Sequence, residues 1–168
     1  MYVLRVIIIA FIFLVLQVTL VHHISIAGSS PDLVIVLLVA LVFERGPVTA
    51  VIIGFLLGFL QDLPNASFLG MNALAKSLVA YGVSRLGGGL FPENVFFKWF
   101  LIFMASIVND IIVLLVTTSF SVSDILILFF RYSLMSALYS AVVGVAILEL
   151  LKAVTRRVVV RSGGDYGY

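Results

Sequence analysis

Apolar runs of helical length, broken by short polar stretches, recur from one end of the chain to the other. Crossing the hydrocarbon of a bilayer takes roughly 20 apolar residues in a helix. The pattern predicts six such spans, over residues 3–21, 33–43, 48–62, 68–86, 95–118 and 125–151. The first has the outline of a secretion signal, with 26–29 as a small-residue cleavage site. Its long apolar part, and the pairing of the later spans, favour an uncleaved span instead. The second and third are nearer 15 than about 20 residues in strictly apolar length. Such spans tilt, thin the bilayer locally, or pack behind other helices.

The breaks are chemically specific. Ser30-Pro31-Asp32 reads as a serine cap on a helix whose first residue is proline. Gly46-Pro47 stops one helix and starts the next. Pro64-Asn65-Ala66-Ser67 is a turn, and Gly87-Gly88-Gly89 ends the fourth span. Residues 1–152 thus form a single membrane domain, followed by a short basic, Gly-rich tail over 153–168 that is expected to fray.

Composition settles the solvent. The chain has 168 residues, 63% of them hydrophobic and 11% charged. A soluble domain of this size cannot hide so much apolar surface. The fold class is all-α integral membrane protein. Absence of cysteine excludes a disulfide framework and thiolate metal sites. A net charge of +2 is too small to imply a nucleic-acid partner. Charge placement says more. With a cytoplasmic N-terminus, six spans put Arg5, Arg45, Arg85, Lys98, Lys152, Arg156, Arg157 and Arg161 on the inner side, eight of the ten basic residues. That is a strong positive-inside bias, and it places both termini in the cytoplasm.

The other two basic residues, Lys76 and Arg131, fall inside spans, as does Asp110. Ionisable groups in a membrane are costly and are paired or functional. At about 1.5 Å of rise per residue all three lie roughly 10–14 Å below the outer helix ends. Asp62 and Asn72 flank the Pro64 turn above them, and Asn72 shares a helix face with Lys76. Asp62, Asn72, Lys76, Asp110 and Arg131 are therefore read as one intramembrane charge cluster. It is either a structural ion-pair network or the floor of an outward-facing pocket. A proton relay would need acids through the full depth, and the inner half has none. Gly54 and Gly58, four apart, allow close helix approach, inside the chain or against a partner. His22-His23 is a weak metal candidate, being adjacent with no acid nearby. No catalytic residues, cofactor site or metal site is assigned, and an enzyme is not expected. Lys152, Arg156 and Arg157 recur at helical spacing past the last span and suit anchoring to anionic membrane lipid.

The order of Pro31-Asp32-Leu33, Arg45-Gly46-Pro47, 54–62 (GFLLGFLQD) and 69–74 (LGMNAL) resembles the bacterial rod shape-determining membrane protein family MreD, over about Arg5 to Lys152. The resemblance implies a non-enzymatic scaffold in the bacterial cytoplasmic membrane that binds MreC and helps position peptidoglycan synthesis. MreB, RodA and a penicillin-binding synthase would join through the larger assembly. It also implies a fold similar to the substrate-binding subunits of energy-coupling-factor transporters. The alternative function is accordingly a vitamin-uptake-type binding subunit, against which stands the bulky first span, with Ala10 as its one small residue. A site for a phosphorylated lipid headgroup at Lys76, Asp110 and Arg131 is a third reading. Asp62 and Asp110 offset both bases and argue against it.

Overall fold

The computed structural model describes Phe13, Val15, Gln17, Thr19 and residues 30–64, 68–87, 94–118 and 121–163, with side chains as far as Leu150. Phe13, Val15, Gln17 and Thr19 are helical, as expected of the first span. The rest of that span, His22-His23 and Gly88-Gly89 lie outside the described residues. All regular structure among the described residues is helical: α1 Leu33–Val42, α2 Pro47–Asp62, α3 Met71–Leu86, α4 Val95–Thr117, α5 Val122–Leu128, a π-helical turn Phe129–Ser133, and α6 Leu134–Gly163. α6 is helical as far as Gly163.

α1 is the axis of the molecule. Its sequence, LVIVLLVALV, has no polar face, and a helix apolar all round must be buried all round. Leu33 through Val39 and Val42 are all buried, with α2, α3, α4 and α6 packed about them. Of the accommodations open to a short apolar helix, α1 takes the one of packing behind its neighbours. At 10 residues it rises only about 15 Å.

The surrounding helices each turn one stripe inward. On α2 the buried positions are Ala50, Gly54, Leu57, Gly58 and Asp62. On α4 they are Lys98, Leu101, Ile102, Ala105, Ser106 and Asn109, a 3–4 spacing that keeps one face toward α1. α6 presents Ala137, Ser140, Ala141 and Gly144, small residues that let its backbone come close to Val36 of α1. Outward-facing positions are the reverse of a soluble protein's. Val48, Ile52, Phe55, Leu56 and Leu60 are exposed on α2, while Asp62, Lys76, Lys98 and Asn109 are buried. Residues Val95–Thr117 and Val122–Leu150 are long and apolar enough to cross a membrane.

α2 and α3 form the most extensive helix pair, an antiparallel hairpin. A side chain added at Gly54 would meet the Lys76 carbonyl and lie 2.9 Å from Ala80 Cβ, and one at Gly58 would meet the Asn72 carbonyl. Both glycines are therefore used inside the chain, and the partner-interface alternative for them is corrected to internal packing. Gly70, before α3, has φ 97°, in the left-handed region that favours glycine. No atom lies near its missing Cβ. Gly70→Ala is therefore expected to lower stability through backbone strain alone, by about 1–2 kcal/mol, read as a shift in the thermal midpoint of the purified protein.

Candidate functional site: a buried polar network around the start of α1

The start of α1 is an internal helix terminus, and a helix start brings N–H groups without intrahelical partners. In an apolar interior each would cost free energy unless matched. Asp32 is the N-cap, and Leu33 is the first helical residue. This corrects the reading of Ser30 as cap and Pro31 as first residue. The physical reason is reach. Asp32 Oδ1 accepts from the N–H groups of both Val34, at 2.9 Å, and Ile35, at 3.1 Å. Leu33 N donates to Gln17 Oε1 at 2.7 Å, and Gln17 Nε2 donates to the Pro31 carbonyl at 3.2 Å. Asp32 N donates to Ser140 Oγ at 2.8 Å. Ser136 Oγ in turn donates to the Ser30 carbonyl at 2.8 Å. The polar positions Gln17, Ser136 and Ser140 thus all serve the entry to α1.

Lys76 completes this arrangement. It is fully buried, and its Nζ lies 2.9 Å from Asp32 Oδ2, leaving Oδ1 to the cap. Nζ also approaches Asn109 Oδ1 at 3.5 Å, and Asn109 Nδ2 approaches Asp110 Oδ1 at 3.4 Å. The chain of contacts ends at Asp110, which lines a cleft together with Ser133 of the π-helical turn. In that turn the Leu134 N–H reaches back to the Phe129 carbonyl, five residues away. Such wide turns often occur at functional sites.

The five residues expected to share one cluster are divided. Lys76 and Asp110 belong to the network. Asp62 and Asn72 form a separate one at the α2–α3 turn. Asp62 Oδ2 accepts from Gly70 N at 2.9 Å and Ala73 N at 3.1 Å, and Oδ1 accepts from Asn72 N at 3.2 Å and Asn72 Nδ2 at 2.8 Å. Its charge is matched by the N-terminus of α3 rather than by a base. Asn72 turns toward Asp62 and away from its i+4 neighbour Lys76. Arg131 is exposed, with its guanidinium carbon 5.4 Å from the Tyr132 ring centroid. Sequence reasoning missed Asp32 and Asn109 as Lys76 partners. The available signals were an aspartate directly before an unbroken apolar run, and an amide beside Asp110 on the inward stripe of α4. At the other end of the bundle the buried Lys98 pairs with Glu149. That pairing withdraws Lys98 from the surface charge assumed for it.

Asp62→Ala would leave three backbone N–H groups without their acceptor. At about 1–3 kcal/mol for each unmatched buried group, the expected loss is about 3 kcal/mol or more, and Asp62→Asn should keep part of it. Thermal unfolding of the two variants in detergent checks the order.

Beside the network is a cleft of about 230 Å³, lined by Ser30, Asp110, Val113, Leu114, Tyr132, Ser133 and Ser136. Among the described residues no group of three or more His, Cys, Asp and Glu is placed to hold a metal ion.

An inverted distribution, with aliphatic residues outside and ion pairs within, defines a helical membrane protein whose interior is organised by charge. The sequence model of the MreD family, rod shape-determining protein MreD, matches residues 1–154. The chain belongs to that family, and with it to the proteins that determine rod shape. No curated protein and no solved structure was found to match the chain.

Proposed function

We propose that this protein is a non-enzymatic scaffold of the bacterial elongation machinery that binds MreC and so helps position peptidoglycan synthesis. In this reading it crosses the cytoplasmic membrane six times, with both termini inside and the Asp62–Gly70 turn facing outward. MreB, RodA and the penicillin-binding synthase are reached through the larger assembly. The observation that carries the reading is family membership over 1–154 of the 168 residues. Internal packing of the Gly54 and Gly58 face is consistent with it, since it leaves the aliphatic and aromatic outer faces for a partner. MreC then has to meet the exposed aliphatic and aromatic faces, not Gly54 and Gly58.

The second reading, a vitamin-uptake-type binding subunit with a related fold, draws on the cleft beside Asp110. Its volume of about 230 Å³ is small for that role, since ligand pockets usually span about 300–1,000 Å³. Affinity purification of the tagged protein from its native membrane, with mass spectrometry of everything retained, separates the two. Near-stoichiometric MreC is the expected result. Recovery of a vitamin-like ligand with an ATPase module, and no MreC, would overturn it.

A further inference from the structure

The cleft beside Asp110 has a hydrogen-bonding polarity that selects its occupant. Three elements converge on it: Asp110, Val113 and Leu114 from one face of α4, Tyr132 and Ser133 from the π-helical turn together with Ser136 of α6, and Ser30 from the entry to α1. An ionised carboxylate can only accept hydrogen bonds. The Ser133 hydroxyl lies beside that carboxylate in the lining of the cleft. The Ser136 hydroxyl has its proton committed to the Ser30 carbonyl at 2.8 Å. A hydroxyl whose proton is spent offers only lone pairs. Asp110 and Ser136 therefore present acceptors to the cleft, and the lone pairs of the Ser133 hydroxyl add another.

Charge points the same way. Within the network Lys76 is taken by Asp32 at 2.9 Å, and it reaches Asn109 rather than Asp110. Asp110 has an amide and a hydroxyl for neighbours but no ion-pair partner among the described residues. Lys98, the nearest other cation in sequence, pairs with Glu149, and Arg131 is exposed and lies against the Tyr132 ring. The network thus carries one carboxylate more than its lysine can neutralise, and that carboxylate lines the cleft.

We propose that this cleft binds a protonated primary amine, the ammonium group of an ethanolamine-type ligand. Its three N–H donors meet Asp110 and the Ser133 and Ser136 oxygens, and its carbon stem lies along Val113 and Leu114. The volume suits a small group: it exceeds the roughly 30 Å³ of one water and falls short of a vitamin-sized pocket. The inference stands independently of MreC binding. The same ammonium chemistry is offered by free ethanolamine and by the headgroup of phosphatidylethanolamine.

The full chain in detergent, as wild type, Asp110→Asn and Val113→Trp, tests it. Asparagine keeps the shape of the side chain and removes the charge, while tryptophan obstructs the cleft and leaves the network untouched. Thermal midpoints are read with ethanolamine, with ethylene glycol and with inorganic phosphate, and bound lipid is identified by native mass spectrometry in mixed phosphatidylethanolamine and phosphatidylglycerol. Expected is stabilisation of the wild type by ethanolamine alone, or selective retention of phosphatidylethanolamine. Either response should weaken about tenfold or more in apparent affinity in each folded variant, a loss of about 1.4 kcal/mol. A response to ethanolamine without lipid selectivity identifies a free amine as ligand, and selective lipid retention identifies the headgroup. No response to either source overturns the proposal, as does an undiminished response in either folded variant or stabilisation by phosphate equal to that by ethanolamine.

Discussion

Gly54→Leu with Gly58→Leu is expected to abolish recovery of folded protein, whether or not MreC is present. Even a methyl group at these positions would run into the Lys76 and Asn72 carbonyls of α3. Backbone cannot step aside as a side chain can. The hairpin would have to part along its length, and the residues that would move with it are those holding Lys76 against Asp32 and Asp62 against the start of α3. Overpacking one site costs about 1–3 kcal/mol and at times more. Two sites on one contact bring the expected loss to roughly 2–6 kcal/mol. Domains are commonly stable by about 5–15 kcal/mol, so a loss at the upper end is enough to unfold a marginally stable one. Fluorescence-detected size exclusion of the tagged double variant is the check. A monodisperse peak at wild-type yield that had merely lost MreC would mean that these glycines face a partner after all.

The second large effect concerns the ion pair. Lys76→Met should destabilise by about 3–5 kcal/mol, because removing one partner leaves the other as a buried, uncompensated charge. Here the stranded charge is Asp32, which also holds the first turn of α1. Rescue should therefore come from a change that removes the charge and keeps the cap. Asparagine is a good N-cap residue, so Asp32→Asn added to Lys76→Met should recover most of the lost stability. Asp110→Leu added to the same lysine change should not, since Asp110 stands one amide further along the network. Thermal midpoints of the single and the two double variants decide between these pairings. Greater recovery with Asp110→Leu would reassign the partner of Lys76.

Much of this arrangement is legible along the chain. The limits of α1 to α4 differ from the hydrophobic pattern by at most a few residues, because α1 to α3 close at Pro, Gly or an acidic break and α4 at the polar Thr117-Thr118-Ser119. Lys76 and Asp110 stand out as ionisable residues within apolar runs, and that cost marks them before any partner is known. The Gly54 and Gly58 spacing also announces a close approach, though not of which helix. What could not be read were the pairings. Asp32 lies 44 residues from Lys76 and resembles part of a loop. Asp62 looks like a partner for a base, yet three backbone N–H groups and the Asn72 amide meet it first. Arg131 counts as intramembrane by its position along the helix, but it faces outward because the inward positions of that segment belong to small residues such as Ser133 and Ala137.

By itself, then, the sequence determined the solvent, the helices and the presence of buried charge, since these follow from hydropathy and the cost of charge in lipid and need no knowledge of neighbours. Only the tertiary structure decided that a short apolar helix stands at the centre and that the open N–H groups of its buried first turn must be met by groups from elsewhere in the chain. The reason is that hydrogen bonds and ion pairs are satisfied within about 3 Å, and which residues come that close depends on how the helices cross.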